Sequence, residues 1–192
     1  MKKINILFAF TAILVASCSP KYYSPNTQNV PLMREQGQTN LTLSGNTNQA
    51  EFQGAYGITD HVAIQVNGGL FIPKDLDNGN GGSGNFIEAG AGYFTPVGTS
   101  FVFEAYGLFG FGGFENHMPS TVETYPSTQG DISGNIARYS VQPSFGYVHK
   151  YFTIALSSRI SSLNYSRVAG DLIFEDVDQR SYLRSNRSMM LL

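Results

Sequence analysis

The chain has 192 residues, with 12 Lys+Arg against 14 Asp+Glu and a formal net charge of -2, so nothing in it is basic enough to bind nucleic acid. Charged residues make up 14%, where a typical soluble domain carries about a quarter, while Gly (21), Phe (14) and Tyr (11) are abundant. The single cysteine excludes an internal disulfide.

The first segment reads as an address. Met1-Lys2-Lys3 is a positive start, and Ile6 to Ala16 is an apolar run broken only by Thr11. That run is too short for a membrane span, which needs ~20 apolar residues. Residues 1–17 therefore read as a secretory signal peptide. Val15-Ala16-Ser17-Cys18 resembles the bacterial lipobox, an aliphatic residue and two small ones before an obligatory cysteine. The resemblance implies acylation of Cys18 and cleavage before it. One acyl chain anchors only marginally, and each buried methylene adds ~0.8 kcal/mol, so two or three chains hold firmly. Ser19-Pro20 follows with no Asp next to the cysteine and no acidic run. By resemblance to lipoprotein sorting signals, that favours release to the outer membrane and gives no signal for display on the cell surface. Removing residues 1–17 lowers Lys+Arg from 12 to 10 against 14 acids, a formal net charge of -4.

Residues 18–37, with Pro20, Pro25, Pro31 and Gly37, predict a lipidated extended tether, and residues 38–192 a single β domain. No amphipathic helix is evident. Gln38–Gly45 is a first strand, followed by period-2 segments close to the ~9–11 residues of a tilted membrane strand. In Ala50–Ile58, Phe52, Tyr56 and Ile58 oppose Glu51, Gln53 and Ala55. In Val62–Ile72, Val62, Ile64, Val66 and Leu70 oppose Gln65, Asn67 and Gly69. Phe86–Phe94 sets Ile87, Ala89 and Tyr93 against Glu88, and Phe101–Phe111 sets Phe101, Phe103, Phe109 and Phe111 against Glu104 and Tyr106. Ile136–Val148 sets Tyr139, Val141, Phe145 and Tyr147 against Arg138, Ser140, Gln142 and Ser144. Tyr151–Ser161 sets Phe152, Ile154, Leu156 and Ile160 against Thr153, Ser157, Arg159 and Ser161.

The connections alternate in length. Thr59-Asp60-His61, Thr95–Ser100 and His149-Lys150 are short, whereas Pro73–Gly84 and Asn116–Gly134 are long and polar. Short periplasmic turns and longer outer loops characterise transmembrane barrels. With the tether starting on the periplasmic side, the first strand runs outward and the long loops fall outside. The connection near Asn46-Thr47 is the exception, short where a long one is expected. Glu51, Glu88, Glu104, Arg138 and Arg159 all fall on the inward face, where three acids and two bases are expected to pair across a lumen filled with side chains.

The lipobox, the aromatic alternating strands and the turn Ala55-Tyr56-Gly57-Ile58-Thr59-Asp60-His61-Val62 resemble small outer-membrane β-barrel proteins, nearest in flavour to uncharacterised barrel lipoproteins of the Bacteroidota. The resemblance spans residues 38–163 as pattern. It implies an all-β, antiparallel, up-and-down transmembrane barrel of about eight strands, outer-membrane lipid as surroundings, insertion by the barrel assembly machinery, and no cofactor. Seven strands are clear, and bacterial barrels have even numbers. Either Arg184–Leu192 begins an eighth strand or the chain is a C-terminally truncated family member, since its Met189-Met190-Leu191-Leu192 end lacks the usual terminal aromatic.

Chemical motifs are weak. His61, His117 and His149 read as turn or loop residues, Gly107–Gly113 as glycines packing against aromatics rather than a phosphate loop, and Asp75, Asp77 and Asn78 as a flexible turn rather than a calcium loop. No catalytic residue and no metal ligand is expected. Three functions follow: a non-enzymatic barrel lipoprotein acting structurally or through its outer loops, a soluble lipid-anchored periplasmic barrel binding an apolar ligand, and a lipid-modifying barrel enzyme. An extracellular partner is not identified by these residues.

Overall fold

The structure is a computed structural model describing Tyr22 and residues 25–73, 81–118, 129–174, 176–185 and 188–191, the last four by backbone alone. The signal sequence, Cys18, Asp75, Asp77 and Asn78 lie outside the described residues. The strands are β1 (Thr39–Gly45), β2 (Gln49–Gly57), β3 (Val62–Phe71), β4 (Gly81–Val97), β5 (Phe101–Met118), β6 (Gly130–Val148), β7 (Thr153–Ser157), β8 (Ile160–Gly170), β9 (Ile173–Phe174), β10 (Val177–Asp178) and β11 (Ser188–Leu191), with a helix α1 (Gln179–Ser185) before the last.

Every pairing is antiparallel, and the sheet runs β1-β2-β3-β4-β5-β6-β8-β11 with β7 also against β6. Strands β7 and β8 are one strand in the same register frame, Ser157 opposite Ser144 and Ile160 opposite Val141. The break between them lies across from Pro143, which has no N–H to donate, although its carbonyl still accepts the Ser158 amide at 3.2 Å. Counted so, seven strands curl into a half-barrel. Ser188–Leu191 pairs with Ile160–Leu163, so part of Arg184–Leu192 occupies an eighth position, as one expectation had it. Among the described residues β1 and β11 are not paired, and the sheet is open.

The alternation read from the sequence sorts onto the two faces as expected. Phe52, Tyr56, Val62, Ile64, Val66, Phe109, Tyr139 and Val141 stand exposed on the convex face, whereas Glu51, Gln65, Asn67, Glu88, Glu104, Arg138 and Gln142 are buried on the concave one. The glycines serve the aromatics: a Cβ at Gly110 would stand 2.3 Å from the Phe86 ring, and one at Gly92 would stand 2.4 Å from that of Tyr106.

Four features differ from the sequence expectation. The strands β4, β5 and β6 run 17, 18 and 19 residues, so the connections shorten to residues 72–80 between β3 and β4 and 119–129 between β5 and β6. Gly- and Asn-rich sequence reads as loop, but here it pairs, Gly81 opposite His117 and His117 opposite Asp131. His117 is consequently a strand residue in contact with Asp131, while His61 and His149 do lie in turns. A two-turn helix exists as well. Asp178 caps it, accepting the Arg180 amide at 3.0 Å and the Ser181 hydroxyl at 2.7 Å. The Ser181 hydroxyl foremost holds the Asp178 carboxyl below the usual range. Seven residues with Leu183 as the buried apolar anchor are too few for a helical period to be visible in sequence.

The fourth difference is the largest. Residues 25–34 form neither helix nor strand, as expected of a tether, with Leu32 in the left-handed region at a φ of 49°, but they lie along the concave face and belong to the folded domain. Asn26, Asn29, Leu32 and Met33 are buried there. At Glu35–Gly37 the segment turns into β1, with the Gly37 amide on the Gly57 carbonyl at 2.9 Å. The approach is close enough that a Cβ on Gly57 would stand 2.7 Å from the Glu35 carbonyl oxygen. Replacing Gly57 with Val is expected to destabilise the fold by about 1–3 kcal/mol through overpacking against backbone. Gly107→Ala, whose Cβ meets only the Ala91 carbonyl oxygen at 3.9 Å, should leave the urea or thermal midpoint nearly unchanged.

Candidate functional site in the polar concave face

The concave face reverses the usual logic of a protein interior. A buried ion loses several kcal/mol of hydration even after relaxation, so it persists only where partners surround it. Glu88 on β4 is the centre. Its Oε2 accepts Arg138 Nη2 from β6 at 2.5 Å, and its Oε1 lies 3.2 Å from Arg159 Nη1, which projects from the break between β7 and β8. Asn67 on β3 and Asn26 of the N-terminal segment donate to Oε1 at 3.1 and 3.2 Å. The Asn26 side-chain Oδ1 in turn accepts Arg138 Nη2 at 2.7 Å and Arg159 Nη1 at 3.3 Å. The Arg138 guanidinium also rests 4.2 Å above the Phe86 ring, a cation–π contact strengthened by desolvation.

A second layer surrounds Asn29. Its amide donates to Asn67 Oδ1 at 2.8 Å and to the Gly54 carbonyl at 3.3 Å, while its backbone carbonyl accepts Gln142 Nε2 at 2.7 Å. Gln142 returns a link to the first layer, accepting Arg159 Nε at 2.8 Å.

Of the five charges expected to form one network, the structure joins three. Glu51 and Glu104 have no base beside them among the described residues. Glu51 instead accepts the Thr27 amide at 2.9 Å and the Gln49 side chain, and Glu104 accepts the Met33 amide at 2.6 Å. The physical reason is the N-terminal segment, which brings backbone N–H donors into a space where only side chains were expected. An extended segment has no internal ladder, so its amides are free to bond carboxylates. Nothing local in the sequence marks Asn26 or Asn29, because their partners lie 62 residues away at Glu88, 112 away at Arg138 and 38 away at Asn67.

Towards the end carrying the β3–β4 and β5–β6 links, residues 72–80 and 119–129, the polarity inverts. Tyr22, Phe86, Phe114, Ile132, Ile136, Leu163, Leu172 and Leu183 form an apolar cluster on the inner side, and α1 packs over it. The outward positions there are Asn85, Glu115 and Asn135. A cleft of about 490 Å³ opens at this end, bordered by Tyr22, Asn46, Asn48, Phe71, Asn85 and Asn116. Among the described residues its lining carries amides and rings and no charged side chain.

The serines of the concave face pair with one another, Ser140 with Ser161 at 2.8 Å and Ser144 with Ser157 at 2.9 Å. The histidines meet other partners: His61 the Phe94 carbonyl at 3.3 Å, His117 the Asp131 carboxylate, and His149 the rings of Tyr147, Tyr151 and Phe152. Among the described residues no three His, Cys, Asp or Glu side chains gather as a metal site. No family model, curated protein or solved structure matches the chain.

The two kinds of buried acid predict different responses. Glu88→Gln removes the one anion facing two guanidinium groups, and a loss of about 3–5 kcal/mol is expected. Glu104→Gln keeps an oxygen for the Met33 amide and is expected to cost about 1 kcal/mol. Urea unfolding of the two variants under the same conditions compares them directly. Equal losses would refute the division of roles.

Proposed function

We propose that the chain is a non-enzymatic outer-membrane β-barrel lipoprotein, made with a signal peptide, acylated at Cys18, and acting structurally or through the residues at its long-link end. The observation that carries the proposal is the shape of the exposed apolar surface. Soluble proteins rarely expose contiguous apolar patches beyond a few hundred Å². Here the large convex side chains of β1 to β7 are mostly aliphatic or aromatic, from Leu43 at 80% exposure to Phe103 at 38%, while β8 sets polar residues, Ser162 and Asn164, on that face opposite Tyr139 and Ala137.

On β4, β5 and β6 this surface has borders. The cross-strand row Val97, Phe101, Tyr147 bounds it at the short-turn end, and the row Ile87, Phe111, Ala137 at the other. One step further the row is Asn85, Gly113, Asn135, which is polar. The climb from Phe101 to Phe111 is ten residues along β5. At ~3.4 Å per residue and a tilt of ~40° that is ~26 Å, against the ~25 Å apolar band of outer-membrane barrels. Rings gather at both borders: Phe101 with Tyr147 at 5.0 Å and with Phe145 at 5.5 Å, and Phe109 with Tyr139 at 4.9 Å and with Phe111 at 6.4 Å. Such rings match the aromatic girdles of membrane barrels.

The polarity inversion supports the same assignment. Within the band the inside holds the buried charges and amides beside a small apolar cluster of Met33, Ala55, Ala63, Phe94, Tyr106 and Leu108, while beyond it β4, β5 and β6 have an apolar inside and a polar outside. One sheet then crosses from lipid into water. With β11 as eighth strand, β1 and β11 run in opposite directions, the relation that closes an eight-stranded barrel. Among the described residues no helix is long and apolar enough to cross a membrane, and crossing by strands needs none. An apolar-ligand carrier is a poorer fit, because the concave face is lined by Gln65, Asn67 and Gln142 and already occupied by residues 25–34. The uncharged cleft at the long-link end is where a surface interaction would be made.

Two measurements test the assignment. A Cys18→Ser variant, which carries no acyl chains, is expected to remain in the membrane pellet after carbonate washing and to show heat-modifiable gel mobility. Release into the soluble fraction would sink the proposal. Separately, Val141→Arg near mid-band should cost about 2–4 kcal/mol of folding stability in lipid, and Asn135→Arg beyond the border only about 0–1. Equal costs at both positions would remove the membrane from the explanation.

A further inference from the structure

The N-terminal segment enters the barrel from the end opposite to the one expected. Its contacts, taken in chain order, descend the sheet without reversal. The Tyr22 ring stacks on Phe114 at 6.4 Å, and its carbonyl accepts Asn116 Nδ2 at 3.3 Å, near the top of β5. Asn26 then meets Glu88 and Arg138. Asn29 meets Asn67, Gly54 and Gln142. Met33 meets Glu104, near the foot of β5. Arg34 donates to the Thr99 carbonyl in the β4–β5 turn at 2.5 Å, and Gln36 to the Ile58 carbonyl in the β2–β3 turn at 2.9 Å. The chain therefore travels from the long-link end to the short-turn end through the concave face, reverses at Glu35–Gly37, and returns as β1.

From Tyr22 to Met33 is eleven residues, facing β5 from Asn116 to Glu104. Eleven residues at ~3.3 Å each span at most ~36 Å, enough to cross the ~25 Å of an apolar band. Cys18 stands four residues before Tyr22, and four extended residues span at most ~14 Å. From Tyr22 the cysteine cannot reach back to the short-turn end. Wherever the long links lie, the N-terminal end lies with them.

We propose that the mature N-terminus leaves the barrel on the outer-surface side, so that the acyl chains on Cys18 enter the outward-facing leaflet and residues 22–37 form a thread held in the lumen. This rests on the membrane-barrel assignment above. It also separates two features that the sequence had linked. The first strand still runs from the short-turn end to the long-link end, but the lipid is at the far end of the thread from that start. The thread is then secured at both ends, by the acyl chains above and by the Arg34 and Gln36 contacts with the turns below. In between, Asn26 and Asn29 lock it to the buried ions. A segment carrying backbone amides to Glu51 and Glu104, and an amide side chain to both Arg138 and Arg159, is not a passive spacer: the concave face is incomplete without it.

Single cysteines test the proposal, since acylation leaves Cys18 no free thiol. Lys21→Cys reports the N-terminal end, Asn78→Cys the β3–β4 link, and Asp60→Cys the β2–β3 turn. Each full-length variant is expressed and exposed to a membrane-impermeant maleimide, first on intact cells and then after permeabilisation. The expected result is labelling of Lys21→Cys and Asn78→Cys on intact cells, and of Asp60→Cys only after permeabilisation. A short epitope inserted between Pro20 and Lys21, probed with antibody on intact cells, decides the matter if the cysteine at 21 is sterically shielded. Labelling of Asn78→Cys on intact cells, with Lys21→Cys and the epitope reached only after permeabilisation, would overturn the threading direction while leaving the barrel in place. All three positions behaving alike would remove the barrel itself, and the inference with it.

Discussion

Burying a carboxylate between two guanidinium groups constrains everything around it. Glu88, Arg138 and Arg159 are all shielded from solvent, and three ions in such a place are tolerable only if almost every oxygen and N–H has a partner. The neighbouring strands alone do not supply enough. Asn67 contributes one donor and Gln142 one acceptor, but it is Asn26 that bonds both arginines and the glutamate at once. The ionic centre therefore requires the thread, and the thread in turn requires room. That room is visible in the small residues beneath it, such as Gly57 under the Glu35 carbonyl and Gly146 under the Leu32 side chain.

The same constraint accounts for the two regimes of the sheet. Where the convex face is apolar, the strands place their polar side chains inward, and those side chains must be satisfied by each other or by the thread. Where the strands pass the polar row of Asn85, Gly113 and Asn135, water can satisfy the outer face and the inner face becomes an ordinary apolar core under α1. The border is sharp. Phe86 belongs to the apolar cluster, and Glu88, two residues on, belongs to the ionic centre. Arg138 spans the border, paired to Glu88 on one side and lying over Phe86 on the other.

A β-bulge helps to accommodate the change. Between Ser133 and Asn135 the β6–β8 register shifts, leaving Gly134 opposite Arg167 and Val168, with Arg167 at a φ of 51°. Bulges bend a strand and increase its twist. This one lies next to the apolar cluster, where the ring of Phe114 would stand 3.0 Å from a Cβ at Gly134. The Pro143 break on the other half of the strand pair is different in kind: it removes a hydrogen bond without changing the register, and Arg159 projects inward beside it.

Much of the sheet was legible in the sequence because its information is local. A period of two reports which side chains share a face, so Phe52 and Tyr56 outward and Glu51 and Gln53 inward followed from order alone, as did the inward placement of all five charges. The turns at Thr59-Asp60-His61 and His149-Lys150 followed from their composition. Strand ends did not, since Gly81–Gly84 pairs only because Phe114–His117 stands opposite. Nor did the pairing of the charges. Which acid meets which base depends on strand order across a curved surface, and two of the acids meet no base because a segment distant in sequence arrives first. The path of residues 22–37 was decided by tertiary structure alone: an extended, proline-bearing stretch has the same appearance in sequence whether it hangs in solvent or fills an interior, and only the buried ions waiting for its amides distinguish the two.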